Sequence, residues 1–174
     1  MSQPGGLRRP ALASVLVLAL QGAGAAISPA AAQGDPAEVA SEFCSTRLAG
    51  DDEGVRALLM PSLLAAIVEA EDRNLTAMEA APDDKPPFGD GIPYQSFPDL
   101  PDACVTGEPV PLRDGFRIPV VISFVGAPTA GWTDALVVVG DGGGYRIDDI
   151  VFRGSPDARE PPTLRSLLRD AFDN

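Results

Sequence analysis

Residues 142–154 read GGGYRIDDIVFRG, and this stretch decides the fold. Its glycines supply backbone that turns through positive φ, and the residues after them alternate in the manner of a half-buried strand. Immediately upstream, Trp132 to Val139 has the same character, so Asp141-Gly142-Gly143-Gly144 joins two antiparallel strands in a hairpin. Working further back, Phe116, Ile118, Val120, Ile122 and Phe124 share one face of another strand, which Asp114-Gly115 introduces by a turn. Ala103 to Leu112 contains Pro109 and Pro111 and reads as an interrupted edge strand, where a missing N–H is tolerated.

Helices flank this sheet. Asp35-Pro36 is a helix-start signature, an N-cap side chain followed by a proline whose absent N–H has no role in the first turn. The helix it opens runs to about Leu48, with Val39, Ala40, Phe43, Cys44 and Leu48 on its apolar face and Gly50 as its left-handed exit. Asp51 or Asp52 caps a short turn carrying Val55, Leu58 and Leu59. Pro61 then opens a longer helix to about Ala80, in which Leu64, Ile67, Val68, Glu71 and Leu75 recur at three- and four-residue spacing. At the far end Thr163 caps a last helix whose apolar stripe is Leu164, Leu167, Leu168 and Phe172. The class is therefore α+β: N-terminal helices packed on an antiparallel sheet, with a short C-terminal helix.

Between helices and sheet, Pro82 to Pro101 holds six prolines and two glycines. Phe88, Tyr94 and Phe97 punctuate it, and aromatic rings in a polar loop pack back onto the domain more often than they form a lid.

The first residues carry a different message. Arg8 and Arg9 give a positive end, Ala11 to Ala26 form an uncharged apolar run, and Ala30-Ala31-Ala32 fit the small-residue requirement of signal peptidase. The sequence predicts a signal peptide over 1–32, cleavage near Ala32, and one domain over 33–174 that is periplasmic or secreted. No Cys stands at the cleavage point for a lipid anchor, and the apolar run is too short and Gly/Ala-rich for a stable membrane anchor.

Charge and residue types narrow the function. The chain has 25 Asp and Glu against 13 Lys and Arg, a formal charge of −12, and Arg8 and Arg9 would leave with the leader. Nucleic acid and anionic lipid are poor partners for such a chain, because each phosphate contact needs a cation and the overall field repels. The chain contains no His, which removes Ser-His-Asp and Cys-His triads and imidazole zinc sites. Two cysteines cannot make a thiolate zinc site either. In an oxidising compartment Cys44 and Cys104 are expected to pair, closing a loop worth roughly 4 kcal/mol on the chain-entropy model. Acidic stretches at Asp83-Asp84, Asp99 to Asp102 and Asp141 lack the alternating spacing of a calcium loop, and Gly142 to Gly144 join two strands where a phosphate cradle would open a helix. No metal or cofactor is implied.

The order of elements, the closing GGGYRIDDIVFRG and the tail segment TLRSLL at 163–168 resemble the nuclear transport factor 2-like superfamily, a cystatin-like α+β cone. More narrowly, Gly144, Tyr145, Ile147, Asp149 and Ile150 resemble the Gly-aromatic-x-Ile-x-Asp-Ile ending of an exported bacterial family of unknown function, with Trp132 opening the preceding strand. The resemblance covers most of 36–172. It implies a curved sheet wrapped around helices, and a cone that enzymes of the superfamily use with Tyr and Asp side chains.

Candidate binding residues follow from the two readings together. Strict alternation sets Asp149 on one face with Tyr145, Ile147 and Val151, where burial would suit it to proton transfer, with Tyr94 or Tyr145 donating to an oxyanion. The competing and preferred reading pairs the acid with Arg117 or Arg146, or leaves it at a sheet rim. Asp134 on the neighbouring strand reads as solvent-facing. With no convergent catalytic constellation, a non-enzymatic module binding a small molecule or an envelope protein leads, ahead of an Asp/Tyr proton-transfer enzyme and an inhibitor or immunity-like protein using its acidic surface.

Overall fold

The computed structural model describes Met1, residues 34–154 and residues 159–173. The leader expected over 1–32 and its cleavage near Ala32 thus lie outside the described residues, Met1 apart. Helix α1 spans Pro36–Ala49, α2 Asp52–Ala57 and α3 Pro61–Ala80. Strands β1 (Ala103–Thr106), β2 (Val110–Leu112), β3 (Gly115–Ser123), β4 (Trp132–Asp141) and β5 (Gly144–Val151) follow, and α4 (Leu164–Asp170) closes the fold. A short 3-10 turn at Pro128–Ala130 leads into β4.

Local chemistry explains the helix ends. Asp35 Oδ1 accepts the Ala37 N–H at 2.8 Å, and Gly50 (φ 65) ends α1 in the left-handed conformation. Asp51 caps α2 by accepting the Gly54 N–H at 2.9 Å. In α4, Thr163 and Ser166 cap each other reciprocally.

The sheet is antiparallel and open, in the order β1-β3-β4-β5, with β2 pairing β3 on the same side as β1. The expected interrupted edge is thus two short strands separated at Gly107 to Pro109. At the hairpin Asp141 pairs Gly144, and Gly142 and Gly143 turn with φ of 60 and 116. Curvature enters through a bulge: Val138 faces Ile147 and Val137 faces Asp149, so Asp148 is one residue too many on β5.

The outer edge of β5 is covered. Ile147 donates its N–H to Leu58 O at 2.9 Å and accepts from Met60 N at 2.8 Å, laying Leu59 parallel to the strand. Beyond it the Phe152 N–H donates to Pro162 O at 2.9 Å.

Phe43, Leu63, Ile67, Ile118, Ile122, Leu136, Ile147, Ile150 and Leu164 fill the space between helices and sheet. Cys44 and Cys104 form a disulfide with Cα atoms 5.3 Å apart, joining α1 to β1. It is compatible with an extracellular or periplasmic location. Among the described residues no helix is long and apolar enough to cross a membrane.

Two stripes differ from expectation. Leu48 is 43% exposed and Arg47 is buried in its place, since Leu48 lies five residues beyond Phe43 and so well around the helix from it. In α3 the buried stripe is Leu63, Ile67 and Ala70, whereas Leu75 is 57% exposed and Val68 is also exposed. Several apolar stripes fit α3, and the one facing the sheet is set by how the helix docks.

Candidate functional site

The loop between α3 and β1 is pinned at four places. Its Phe88 N–H donates to Asn74 Oδ1 at 2.9 Å. Gln95, itself buried, accepts from Arg47 Nε at 3.1 Å and donates through Nε2 to the carbonyls of Phe97 at 2.7 Å and Asp99 at 2.6 Å. Phe97 packs its ring edge-on to Trp132 at 4.9 Å, and Phe88 does the same to Phe172 at 5.7 Å. The aromatic residues therefore pack back onto the domain, as the composition of the loop predicts.

Asp134 is the fourth pin, and its placement corrects the solvent-facing expectation. It is 4% exposed and accepts from Ser96 N at 2.8 Å, Trp132 Nε1 at 2.9 Å, Arg153 N at 2.9 Å and the Ser96 hydroxyl. One carboxylate thus ties the loop, the start of β4 and the exit of β5 together. Four donors satisfy a charge that burial alone would disfavour.

Pinned in this way, the loop roofs a cleft of about 670 Å³ against the C-terminal end of α1 and one face of α4. Phe88, Ile92, Phe97, Leu100 and Leu167 supply its apolar lining, and Arg47, Asp52, Asp90 and Asp170 its charges. A smaller cleft of about 340 Å³ lies on the other side of Pro93 to Phe97, near Phe152 and Arg153. The larger volume falls within the range of small-molecule sites, about 300–1,000 Å³.

Arg47 organises the cleft wall. Its Nη1 lies 2.6 Å from Asp52 Oδ1, and its guanidinium carbon sits 5.9 Å from the centre of the Tyr94 ring. Tyr94 is 3% exposed and lines the cleft, and its hydroxyl has no hydrogen-bond partner among the described residues. Burial pushes the phenol above its ordinary value of 10.0, partly offset by the positive charge of Arg56, which is paired with Glu71.

The other two candidates stand apart from Tyr94. Tyr145 is half-buried with its ring edge-on to Phe116 at 5.8 Å, and it lines neither cleft. Asp149 does not share the face of Tyr145 and Ile147, because the bulge at Asp148 inverts the alternation and puts Ile150 and Phe152 in the core instead. Its Oδ1 accepts the N–H groups of Ile150 at 2.9 Å and Arg165 at 3.0 Å, at the N-terminus of α4. The neighbouring Asp148 pairs with Arg165 at 2.6 Å, and Arg146 pairs with Asp141 at 2.7 Å. Of the three candidates, Tyr94 lines the larger cleft, and Tyr145 and Asp149 line neither.

Arg47, Gln95 and Asp134 are the residues that the sequence reading missed. For Asp134 a signal existed, since Trp132, Asp134, Leu136 and Val138 alternate on one face of β4 and the acid falls in a buried series. For Gln95 there was none. Compared with known proteins, the chain matches no family model, no curated protein and no solved structure.

Proposed function

We propose that this chain is an exported envelope protein of the nuclear transport factor 2-like type, a non-enzymatic module that binds a small molecule in the cleft beneath its Pro-rich loop. The observation that carries the reading is the cleft itself. It is large enough for a small ligand, lined by apolar side chains from the loop and α4 beside charged ones from the ends of α1 and α2, and its roof is held in place by hydrogen bonds from Arg47, Gln95 and Ser96. The space between helices and sheet is occupied by core side chains, so the opening beside the loop takes the part that a cone interior would otherwise play. Export is supported by the leader-like N-terminus and is compatible with the Cys44–Cys104 bridge.

Titration with Nile red, a neutral dye that brightens in apolar surroundings, tests the binding. Saturable one-to-one binding is expected, and Leu167→Trp, which fills the cleft from α4, should abolish it. Absence of saturable binding, or binding indifferent to Leu167→Trp, overturns the reading. Export has its own measurement: intact mass of the envelope-fraction protein should begin near Gln33, and a full-length cytoplasmic species as the main product would refute it.

A further inference from the structure

We infer that the ligand of this cleft is a small cationic amphiphile, an apolar or aromatic body carrying a protonated amine; the inference rests on the proposed binding role of the cleft. The charged groups lining it are three carboxylates, Asp52, Asp90 and Asp170, and one guanidinium, Arg47. Arg47 already has its own carboxylate: its side chain is buried, its Nη1 pairs with Asp52 and its Nε donates to Gln95, so its charge is matched before any ligand enters.

Asp90 and Asp170 are held differently. Their partners Lys85 and Arg169 are exposed and do not line the cleft. Exposed ion pairs contribute little and exchange readily, so an incoming ammonium can take over either carboxylate at small cost. The apolar surfaces of Phe88, Phe97, Ile92, Leu100 and Leu167 would bury the body of the ligand, and the two phenyl rings attract a nearby cation through their faces. An anionic ligand would instead meet two loosely held carboxylates and the field of a chain with formal charge −12. Charge complementarity thus selects among occupants that the apolar lining alone would accept equally.

Calorimetric titration of the purified protein at low salt with naphthylmethylamine, naphthylmethanol and naphthoate tests this with one body and three charges. The amine should bind about tenfold more tightly than the alcohol, with naphthoate weakest. Combining Asp90→Asn with Asp170→Asn should erase most of the amine's advantage over the alcohol, and Leu167→Trp should weaken all three. Equal affinity for amine and alcohol, both lost in Leu167→Trp, overturns the cationic ligand and leaves the cleft as a binding site. Preference for naphthoate, or an amine preference that survives the paired Asn substitutions, overturns the charge assignment. If no probe binds, or binding ignores Leu167→Trp, the cleft reading falls and this inference with it.

Discussion

The carboxylate of Asp134 accepts the backbone N–H of Ser96 at 2.8 Å across 38 residues of chain, joining the loop that roofs the cleft to the first turn of the sheet's β4 strand. Because the same carboxylate takes the Trp132 indole and the Arg153 amide, its removal strands several buried donors at once. Asp134→Ala is expected to destabilise by about 3–5 kcal/mol, and Asp134→Asn, which keeps one acceptor oxygen, by about half as much. Urea unfolding followed by fluorescence checks both, since Trp132 is the chain's only tryptophan and reports from the affected place.

The disulfide closes a separation of 60 residues between α1 and β1. Cys44→Ser should destabilise by about 2–5 kcal/mol, and a reducing agent should lower the wild-type urea midpoint to a similar degree. The denatured, unreduced protein should show no titratable thiol.

Two glycines should respond unequally to alanine. A Cβ on Gly115 would lie 2.2 Å from the carbonyl oxygen of Val138, whereas one on Gly142 would meet nothing within 4 Å. Both have positive φ, so Gly142→Ala bears a torsional cost of about 1–2 kcal/mol while Gly115→Ala must also displace β4, for a total of about 3 kcal/mol or more. Thermal melts of the pair decide it, and equal losses would contradict the predicted clash.

Tyr94 gives the fold a dependence on alkaline pH. Burial raises its folded pKa above the ordinary 10.0, so the neutral phenol is the form that folding favours. Its contribution is complete below pH 10.0 and is lost as pH rises through the folded pKa. Tyr94→Phe should remove that component of the decline in urea midpoint above about pH 10. At neutral pH the same substitution should be neutral or stabilising by about 1 kcal/mol, because it deletes a buried hydroxyl with no partner.

The legible parts of this fold are those written in local chemistry. Asp35-Pro36, Thr163 and the glycines before Tyr145 each act on neighbours within a few residues, and their helix starts and hairpin appear where the sequence placed them. Val68 and Leu75 misled because apolar spacing on α3 is compatible with several faces, and only docking picks one. Asp149 misled for another reason, since one extra residue at Asp148 reverses every later side chain and no local signal announces it. The cleft was hardest to foresee. Arg47, Gln95 and Asp170 come from α1, the loop and α4, and nothing short of the assembled chain brings them to one wall.

The two margins of the sheet are unequal, and this limits how copies of the protein can join. Leu58 to Met60 pairs with Ile147 of β5 and the Pro162 carbonyl takes the Phe152 amide just past that strand, leaving β1 and β2 as the margin that no described segment pairs. A sheet that can recruit a neighbour along only one side can form a closed pair by strand addition but cannot extend that pair into a fibre. Pro111 in β2 removes a further donor from that side. A lone open margin is a terminator of growth, which lets the chain expose valines such as Val105 and Val110 there without seeding endless stacking.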